Sequence, residues 1–164
     1  MSKLVSFIIP CYRSAQTIGK VVEEISVTLE RSGQYQYEII LVNDASPDNT
    51  FEVIRSLCEK RKEICGVNLA RNFGQHAALM AGFHYAHGDI IVCLDDDGQT
   101  PAEEVPRLLA RLEEGYDVVY ARYEIKKHSA FRNFGSHVNE WMTRVMLGKP
   151  KELTFGFTSF LTIV

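Results

Sequence analysis

Short apolar runs interrupt the first part of the chain at regular intervals. They occur at residues 4–9, 38–42, 64–69, 89–94 and 116–121, and most are rich in β-branched side chains. Apolar runs of this length, without polar alternation, are typical of strands buried on both faces of a sheet. The pattern therefore predicts a set of strands that lie inside the protein.

Between these runs, apolar residues recur at helical spacing and predict helices. We expect Pro10 to end the first strand, Ser14 or Thr17 to cap the helix that follows, and Gly33 to end that helix. The last of these helices starts at Thr100, a capping residue followed by proline and two glutamates. The apolar stripes comprise Ile18, Val21, Val22, Ile25 and Leu29, then Phe51, Ile54, Leu57 and Cys58, and finally Val105, Leu108, Leu109 and Leu112.

A helix predicted at residues 75–86 has unusually small side chains, including Ala78 and Gly82, which allow close packing. Strands and helices thus alternate along the chain with short connections. This alternation predicts an α/β fold with a doubly wound, mostly parallel sheet. We expect residues 1–164 to form a single domain, because the chain is of ordinary domain length.

Composition excludes some classes of protein. Apolar residues make up 46% of the chain, charged residues 24%, and the net charge is −3, which gives no basic footprint for nucleic acid. No apolar run approaches the roughly 20 residues that span a bilayer. The cysteines lack Cys-x-x-Cys spacing and are interpreted as reduced, mostly buried residues of a cytosolic chain.

The candidate chemistry lies directly after two predicted strands. Asp95, Asp96 and Asp97 follow the run at 89–94, and a polar segment at residues 43–49 follows the run at 38–42. Because parallel strands end at the same edge of a sheet, both clusters are expected there, where α/β proteins bind ligands. Carboxylates at that edge suit Mg²⁺ or Mn²⁺, usually in the service of a phosphate. The alternative is a solvated acidic turn that caps the next helix.

Four short motifs follow one another along the chain. They are Ile9-Pro10-Cys11-Tyr12, Val42-Asn43-Asp44-Ala45-Ser46, Leu69-Ala70-Arg71-Asn72-Phe73-Gly74-Gln75-His76 and Asp95-Asp96-Asp97-x-Gln99. Together they resemble the motifs of family 2 glycosyltransferases, which have the nucleotide-sugar-binding fold called GT-A. The motif at residues 69–76 narrows the resemblance to the polyprenyl-phosphate sugar transferases, such as dolichyl-phosphate mannose synthase.

The resemblance implies a metal-dependent, inverting transferase whose donor is a nucleotide sugar, with UDP favoured over GDP. Asp95 and Asp97 would flank the metal and diphosphate, with Asp97 the direct ligand, and Gln99 would lie nearby. Asp96 would contact the ribose or the donor sugar. The residues that match the family's nucleobase and ribose site are Pro10, Tyr12, Asp44 and Arg71.

The same resemblance implies a polyprenyl-phosphate acceptor bound by Arg122 and Arg132. Such an acceptor is already an anion, so positioning and charge stabilisation would supply most of the catalysis. The relatives work at the cytoplasmic face of a membrane, which they contact through further segments. Because residues 153–164 stop within a predicted strand, we expect this chain to be the N-terminal portion of a longer, truncated protein.

Structural alternatives remain for most of these residues. Asp44 and Asp48 could form an Asx-turn and a helix cap, and the arginines at 71, 122 and 132 could be surface residues. The histidines on the 75–86 helix and just after it have no partner carboxylate that completes a metal site. A helical stripe at residues 131–145, which includes aromatic side chains, is more typical of a core or an interface than of a lipid site.

Departures from the family pattern leave two functional alternatives. Gly98 stands where the lipid-phosphate branch usually has leucine, Ala121 replaces a glycine, and an arginine expected near the end of the chain is absent. The chain could therefore bind nucleotide without turnover, held together as a homo-oligomer through its C-terminal strand. It could also transfer sugar to a saccharide instead of a lipid phosphate.

Overall fold

The computed structural model describes residues 2–120 and 162–163. The strands are β1 (Leu4–Cys11), β2 (Gln36–Asn43), β3 (Ile64–Asn68), β4 (Ile90–Cys93), β5 (Val119–Tyr120) and β6 (Thr162–Ile163). The helices are α1 (Ile18–Ser32), α2 (Thr50–Lys60), α3 (Gln75–Tyr85) and α4 (Val105–Glu113), and a short 3₁₀ helix (Ala102–Glu104) precedes α4.

The described strands form one sheet in the order β3-β2-β1-β4-β6-β5. β1 to β4 are parallel, and β6 runs antiparallel to both of its neighbours. The predicted fold class, a doubly wound and mostly parallel α/β sheet, is confirmed. The strand order reverses between β1 and β4, and such a switch point leaves a crevice outside the carboxyl ends of the two strands.

Helices cover both faces of the sheet. On one face, α1, α2 and α4 share a hydrophobic core with β1 residues such as Phe7 and Ile9, which are fully buried. On the other face, α3 packs against Ile8, Ile40 and Val42. Because successive strand residues point to opposite faces, β1 contributes to both cores at once. This burial explains why β1 and β2 are apolar without alternation.

The small side chains of α3 have the predicted consequence. A Cβ atom placed on Gly82 would overlap Cγ2 of Ile8 and lie 3.3 Å from Cγ2 of Val42. Only glycine lets the helix backbone approach β1 and β2 this closely. The predicted end of α1 is also confirmed, because Gly33 adopts the left-handed conformation (φ 61°) and its N–H bonds the carbonyl of Leu29.

The cysteines, interpreted as mostly buried, differ in exposure: one is buried, two are half-buried and one is exposed, in the order Cys11, Cys58, Cys93 and Cys65.

Three further details differ from the sequence-based expectations. β1 does not end at Pro10 but continues to Cys11. Thr17 and Thr100 make no side-chain capping bond: Thr17 precedes α1 without one, and the buried Thr100 hydroxyl has no partner in the described structure. The fifth strand is confined to Val119–Tyr120.

Pro10 fits in β1 because of where β4 ends. The N–H of Leu94 bonds the carbonyl of Ile8, so the polar groups of Ile8 face β4. The backbone groups of Pro10, two residues further along β1, point toward the same neighbour. Because β4 ends at Cys93, it offers no backbone partner opposite Pro10, and the missing N–H of proline breaks no sheet hydrogen bond. Proline is therefore tolerated in an interior strand at a position beyond its neighbour's end.

Candidate active site

The loops that follow β1, β2, β3 and β4 meet at one edge of the sheet, where these parallel strands end. The polar segment at residues 43–49 and the acidic triplet at residues 95–97 therefore share this edge, as expected. Hydrogen bonds join these loops to one another across large separations in sequence.

Asp44 holds the loop after β3 with both of its carboxylate oxygens. Oδ1 accepts the N–H of Phe73 and Oδ2 accepts the N–H of Gly74, each at 2.8 Å. Asp44 is only 3% exposed, and its own N–H bonds the carbonyl of Cys11. Hydrogen bonds to a buried carboxylate are among the stronger ones in proteins, so Asp44 holds the backbone of this loop at Phe73 and Gly74. Its predicted contact with a nucleobase stays a prediction.

Asn43 and Asp48 shape the polar segment that follows β2. Oδ1 of Asn43 accepts the N–H of Ser46, three residues on, at 3.2 Å. Asp48 stands at the start of α2, where its Oδ1 accepts from the hydroxyl of Thr50 at 2.6 Å and from the Thr50 N–H at 3.3 Å. A bond to the N–H two residues on is an Asx-turn, and the N-cap of α2 is Asn49, which makes no side-chain capping bond. The Asx-turn expected of Asp44 is thus made by Asp48, and Asp48 does not cap α2.

The three carboxylates of the acidic triplet diverge. Asp95 Oδ1 accepts from the side-chain amide of Gln75 at 2.9 Å, Asp96 Oδ2 accepts the N–H of Tyr12 at 2.9 Å, and Asp97 Oδ1 accepts the N–H of Gln99 at 2.9 Å. Asp97 is exposed, whereas Asp95 and Asp96 are half-buried. The triplet is therefore not a simple acidic patch, because each carboxylate is oriented by a different loop.

Partial burial affects the acidity of Asp96. Desolvation raises the pKa of its carboxyl above the usual value, and the hydrogen bond from the Tyr12 N–H offsets this only in part. Asp96 lies at the β1–β4 switch point and joins the two loops that flank it. A group placed there can reach a ligand bound in the crevice while it also holds the loop of Tyr12.

Two non-glycine residues adopt left-handed backbone conformations in facing loops. Arg13 follows β1 with φ 59°, and Ala45 follows β2 with φ 50°. The N–H of Arg13 bonds the hydroxyl of Ser46 at 3.2 Å, which joins these loops. Such conformations cost about 1–3 kcal/mol each and concentrate at functional sites.

Exposed side chains flank the crevice on two sides. Tyr12, directly after Pro10 and Cys11, is 45% exposed, and the Arg13 guanidinium lies 5.5 Å from the centre of its ring. In the loop held by Asp44, the Arg71 guanidinium lies 4.7 Å from the ring centre of Phe73, which is 50% exposed. Both are cation–π arrangements with flat surfaces open to solvent.

A divalent cation is compatible with this donor set. Among the described residues, no group of three or more His, Cys, Asp or Glu side chains is arranged to hold a metal. Mg²⁺-type ions commonly take only one or two protein carboxylates, with water and substrate phosphates as the other ligands. Asp95 and Asp97 are the predicted pair of oxygen donors, and their role as metal ligands stays a prediction.

Two residues that join the loops were not predicted from the sequence, and two predicted residues lie outside the described part of the chain. Gln75 and Ser46 were noted only as parts of motifs, although both form bonds between loops. Periodicity could not have found them, because each is a polar residue in a polar segment. Arg122 and Arg132 lie outside the part of the chain that the structure describes.

Comparison with known proteins gives a family and a fold. The family described as "Glycosyl transferase family 2" matches residues 6–162. The undecaprenyl-phosphate 4-deoxy-4-formamido-L-arabinose transferase of Yersinia enterocolitica is 41% identical over 148 residues, which cover 90% of this chain and 45% of the relative. The chain thus spans less than half the length of that curated relative.

Solved structures resemble the whole chain at low sequence identity. Mannosyl-3-phosphoglycerate synthase from Rubrobacter xylanophilus has a TM-score of 0.73 at 15% identity, covering 99% of this chain and 53% of its own. Glucosyl-3-phosphoglycerate synthase from Mycobacterium tuberculosis, in complex with Mn²⁺, UDP and phosphoglyceric acid, has a TM-score of 0.72 at 18% identity, covering 99% and 55%. At these identities the likeness establishes the fold. Among the described residues, no helix has the length and apolar character needed to cross a bilayer.

Proposed function

Since this chain belongs to glycosyl transferase family 2, we propose that its crevice binds a nucleotide sugar, with UDP as the preferred nucleotide, and that the sugar passes to a polyprenyl phosphate. The observation that carries the proposal is the placement of the Asp44, Arg71 and Asp95–Asp97 loops around one switch-point crevice. The 41% identity to a transferase named for undecaprenyl phosphate supports the acceptor class.

In this proposal a phosphate oxygen of the acceptor attacks the anomeric carbon of the sugar. The new carbon–oxygen bond forms as the bond from that carbon to the nucleoside diphosphate breaks, and the configuration inverts. No general base is required, because the attacking phosphate is already an anion. Most of the catalysis would then come from holding acceptor and donor in line and from stabilising charge on the leaving group.

Asp97, with Asp95 beside it, would hold a Mg²⁺ or Mn²⁺ ion whose chemistry is to neutralise the charge that develops on the departing diphosphate. Asp97 is exposed and its carboxylate is oriented by the Gln99 N–H, which suits a residue that meets a ligand from solvent. Gln99 would lie on the sugar or metal side. The Mn²⁺ in the solved complex of glucosyl-3-phosphoglycerate synthase, which shares this fold, is compatible with this assignment.

The nucleoside would lie on the other side of the crevice, near Pro10, Tyr12 and Arg71. Arg71 would pair with phosphate or stack on the base, and its loop is held ready by Asp44. Asp44 is itself the predicted acceptor for the base imide. Asp96 would contact the ribose or the sugar from the switch point.

The residues on the acceptor side are proposed from the sequence alone. Arg122 and Arg132 would bind the phosphate of the polyprenyl lipid. Because that lipid resides in a membrane and nucleotide sugars are cytoplasmic, the reaction would take place at the cytoplasmic face of a membrane.

Calorimetric titration tests the donor half of the proposal. UDP and GDP are titrated with and without Mn²⁺ into the chain and into Asp97→Asn. We expect UDP to bind in the presence of Mn²⁺ and the substitution to abolish that binding. Asp117→Asn is the matched control, because Asp117 is an exposed aspartate that precedes β5, at the other edge of the sheet. If neither nucleotide binds under any condition, the donor site is wrong.

Transfer assays test the acceptor half. Metal-dependent formation of a polyprenyl-phosphate sugar from a UDP-sugar would establish the activity, whereas nucleotide binding without product would favour a binding module. Transfer to a saccharide that polyprenyl phosphate does not inhibit would instead assign a saccharide acceptor.

A further inference from the structure

Gln75 occupies a position that connects the loop after β3 to the acidic triplet. It is the first residue of α3, and its side-chain Nε2 donates to Oδ1 of Asp95 at 2.9 Å. Twenty residues separate the two in sequence. Asp95 follows β4 and Gln75 follows β3, so the bond spans two different loops of the crevice.

The buried carboxylate of Asp44 holds the backbone next to Gln75 in place. Its predecessor, Gly74, is bonded through its N–H to the buried carboxylate of Asp44 and has φ 87° and ψ 162°. Side chains other than hydrogen rarely adopt this conformation, so glycine permits the sharp entry into α3. The first turn of α3 then continues with the Ala78 N–H bonded to the Gly74 carbonyl at 3.1 Å. Asp44 therefore fixes the direction in which α3 begins and, with it, the position of Gln75.

The chemistry of the Gln75 side chain matters as well as its position. An amide donor orients a carboxylate without cancelling its negative charge, whereas a lysine or arginine in its place would form an ion pair and oppose a cation. A carboxylate has two oxygens with about four acceptor sites, so a hydrogen bond at one site is compatible with cation coordination at another. Carboxylates that bind metals are commonly oriented by such neighbouring donors.

We propose that Gln75 is a positioning residue that orients the Asp95 carboxylate for the divalent cation, with Asp44 fixing Gln75 through Gly74. The inference rests on the proposed function, because it assumes that Asp95 and Asp97 bind the cation. It predicts that the loop after β3, which lies on the proposed nucleoside side of the crevice, also sets how tightly Asp95 and Asp97 bind the cation.

The test is a Mn²⁺ titration of the chain at saturating UDP, with free Mn²⁺ measured by electron paramagnetic resonance. Gln75→Met removes the donor while it keeps a similar side-chain length and a good helix former. We expect the dissociation constant for Mn²⁺ to rise about tenfold or more, the range seen when such orienting partners are removed. Gln34→Met is the matched control, because Gln34 is an exposed glutamine just before β2, and it should leave the constant unchanged.

Two further measurements separate positioning from a general loss of structure. The thermal unfolding midpoint without metal, and any UDP affinity measured in EDTA, should be the same for Gln75→Met and the unsubstituted chain. A fall in both, parallel to the loss of Mn²⁺ binding, would overturn the inference in favour of a merely structural role.

Asp95→Asn and Asp97→Asn distinguish the inference from the function beneath it. If these two weaken Mn²⁺ binding but Gln75→Met does not, Gln75 has no positioning role and the metal site stands. If neither aspartate substitution changes Mn²⁺ binding, the metal site itself is wrong, and the role of Gln75 falls with it.

Discussion

The carboxylate of Asp96 accepts the backbone N–H of Tyr12 at 2.9 Å, across 84 positions of sequence. This bond joins the loops after β1 and β4, the two strands between which the sheet reverses its order. Asp96, the middle residue of the acidic triplet, thus holds together the two loops that flank the crevice. Its neighbours Asp95 and Asp97 accept hydrogen bonds from Gln75 and Gln99 instead.

Asp96 should make folding stability depend on pH. Its native pKa lies above the usual 3.8, because burial disfavours the charged form. Its contribution to stability is therefore fully present below pH 3.8 and is lost as pH rises through the raised native pKa. In Asp96→Asn the amide oxygen can still accept the Tyr12 N–H, and no charge is buried.

We expect Asp96→Asn to be at least as stable as the unsubstituted chain at pH 7, with the difference shrinking toward pH 4. Urea denaturation at both pH values measures this. Asp97→Asn serves as the control for the effect on stability, because the Asp97 carboxylate is exposed and stays in contact with water. A marked loss of stability in Asp96→Asn at pH 7 would show that the bond to Tyr12 requires the charge.

Removal of the Asp44 carboxylate should be severe. Asp44→Ala leaves the N–H groups of Phe73 and Gly74 without their acceptor, and hydrogen bonds to charged groups contribute about 1.5–3 kcal/mol each. We expect a loss of about 3 kcal/mol or more in the free energy of unfolding, measured by urea denaturation. Asp44→Asn, which offers one acceptor oxygen for two donors, should lose an intermediate amount. Equal stability of all three chains would contradict the role of Asp44 as the anchor of this loop.

Two helical glycines should respond in opposite directions to alanine. Gly82→Ala places a Cβ against Ile8 and Val42 in the core, and such overpacking costs about 1–3 kcal/mol. Gly19→Ala, in α1, meets no atom within 4 Å and should stabilise by roughly 0.5–1 kcal/mol through helix propensity. Thermal unfolding of both variants provides the comparison, and a stabilised Gly82→Ala would mean that α3 can move away from the sheet at little cost.

A second polar network lies away from the crevice, around the fully buried Ser6. Its hydroxyl donates to Glu38 Oε1 at 2.6 Å and accepts the Gly88 N–H at 2.8 Å. Glu38 also accepts the His87 N–H at 2.6 Å. Burial acts to raise the pKa of Glu38, but the bonds from Ser6 and His87 outweigh it and lower the pKa below 4.5.

Ser6→Ala should therefore lower the free energy of unfolding by about 1–3 kcal/mol at neutral pH, measured by urea denaturation, because the Gly88 N–H loses its acceptor inside the protein.

The stability that Glu38 contributes is present above pH 4.5 and is lost as pH falls through its lowered native pKa. Denaturation from pH 7 to pH 3 should then show a shallower acid loss in Glu38→Gln than in the unsubstituted chain. If the stability of both chains falls identically with pH, Glu38 contributes nothing to the loss of stability in acid.

The sequence alone determined the sheet and the edge at which the site lies. Fully buried strands cannot alternate polar and apolar residues, so the apolar runs marked β1, β2 and β4 within a few residues of their observed bounds. Polar clusters that follow parallel strands must meet at one edge, which placed Asp44 and the acidic triplet together. The family resemblance was likewise carried by local motifs, which survive without knowledge of contacts.

Only the tertiary structure decided what each polar side chain does at that edge. The sequence offered a base contact or an Asx-turn for Asp44, and only the structure showed that it accepts hydrogen bonds from two amides some 30 residues away. Pro10 was expected to end its strand, yet it is accommodated because β4 stops short of it. Such outcomes depend on distances between loops that share no sequence period, so periodicity and propensity carry no information about them. Local pattern fixes which residues reach the crevice; the packing of the whole sheet fixes which of them meet.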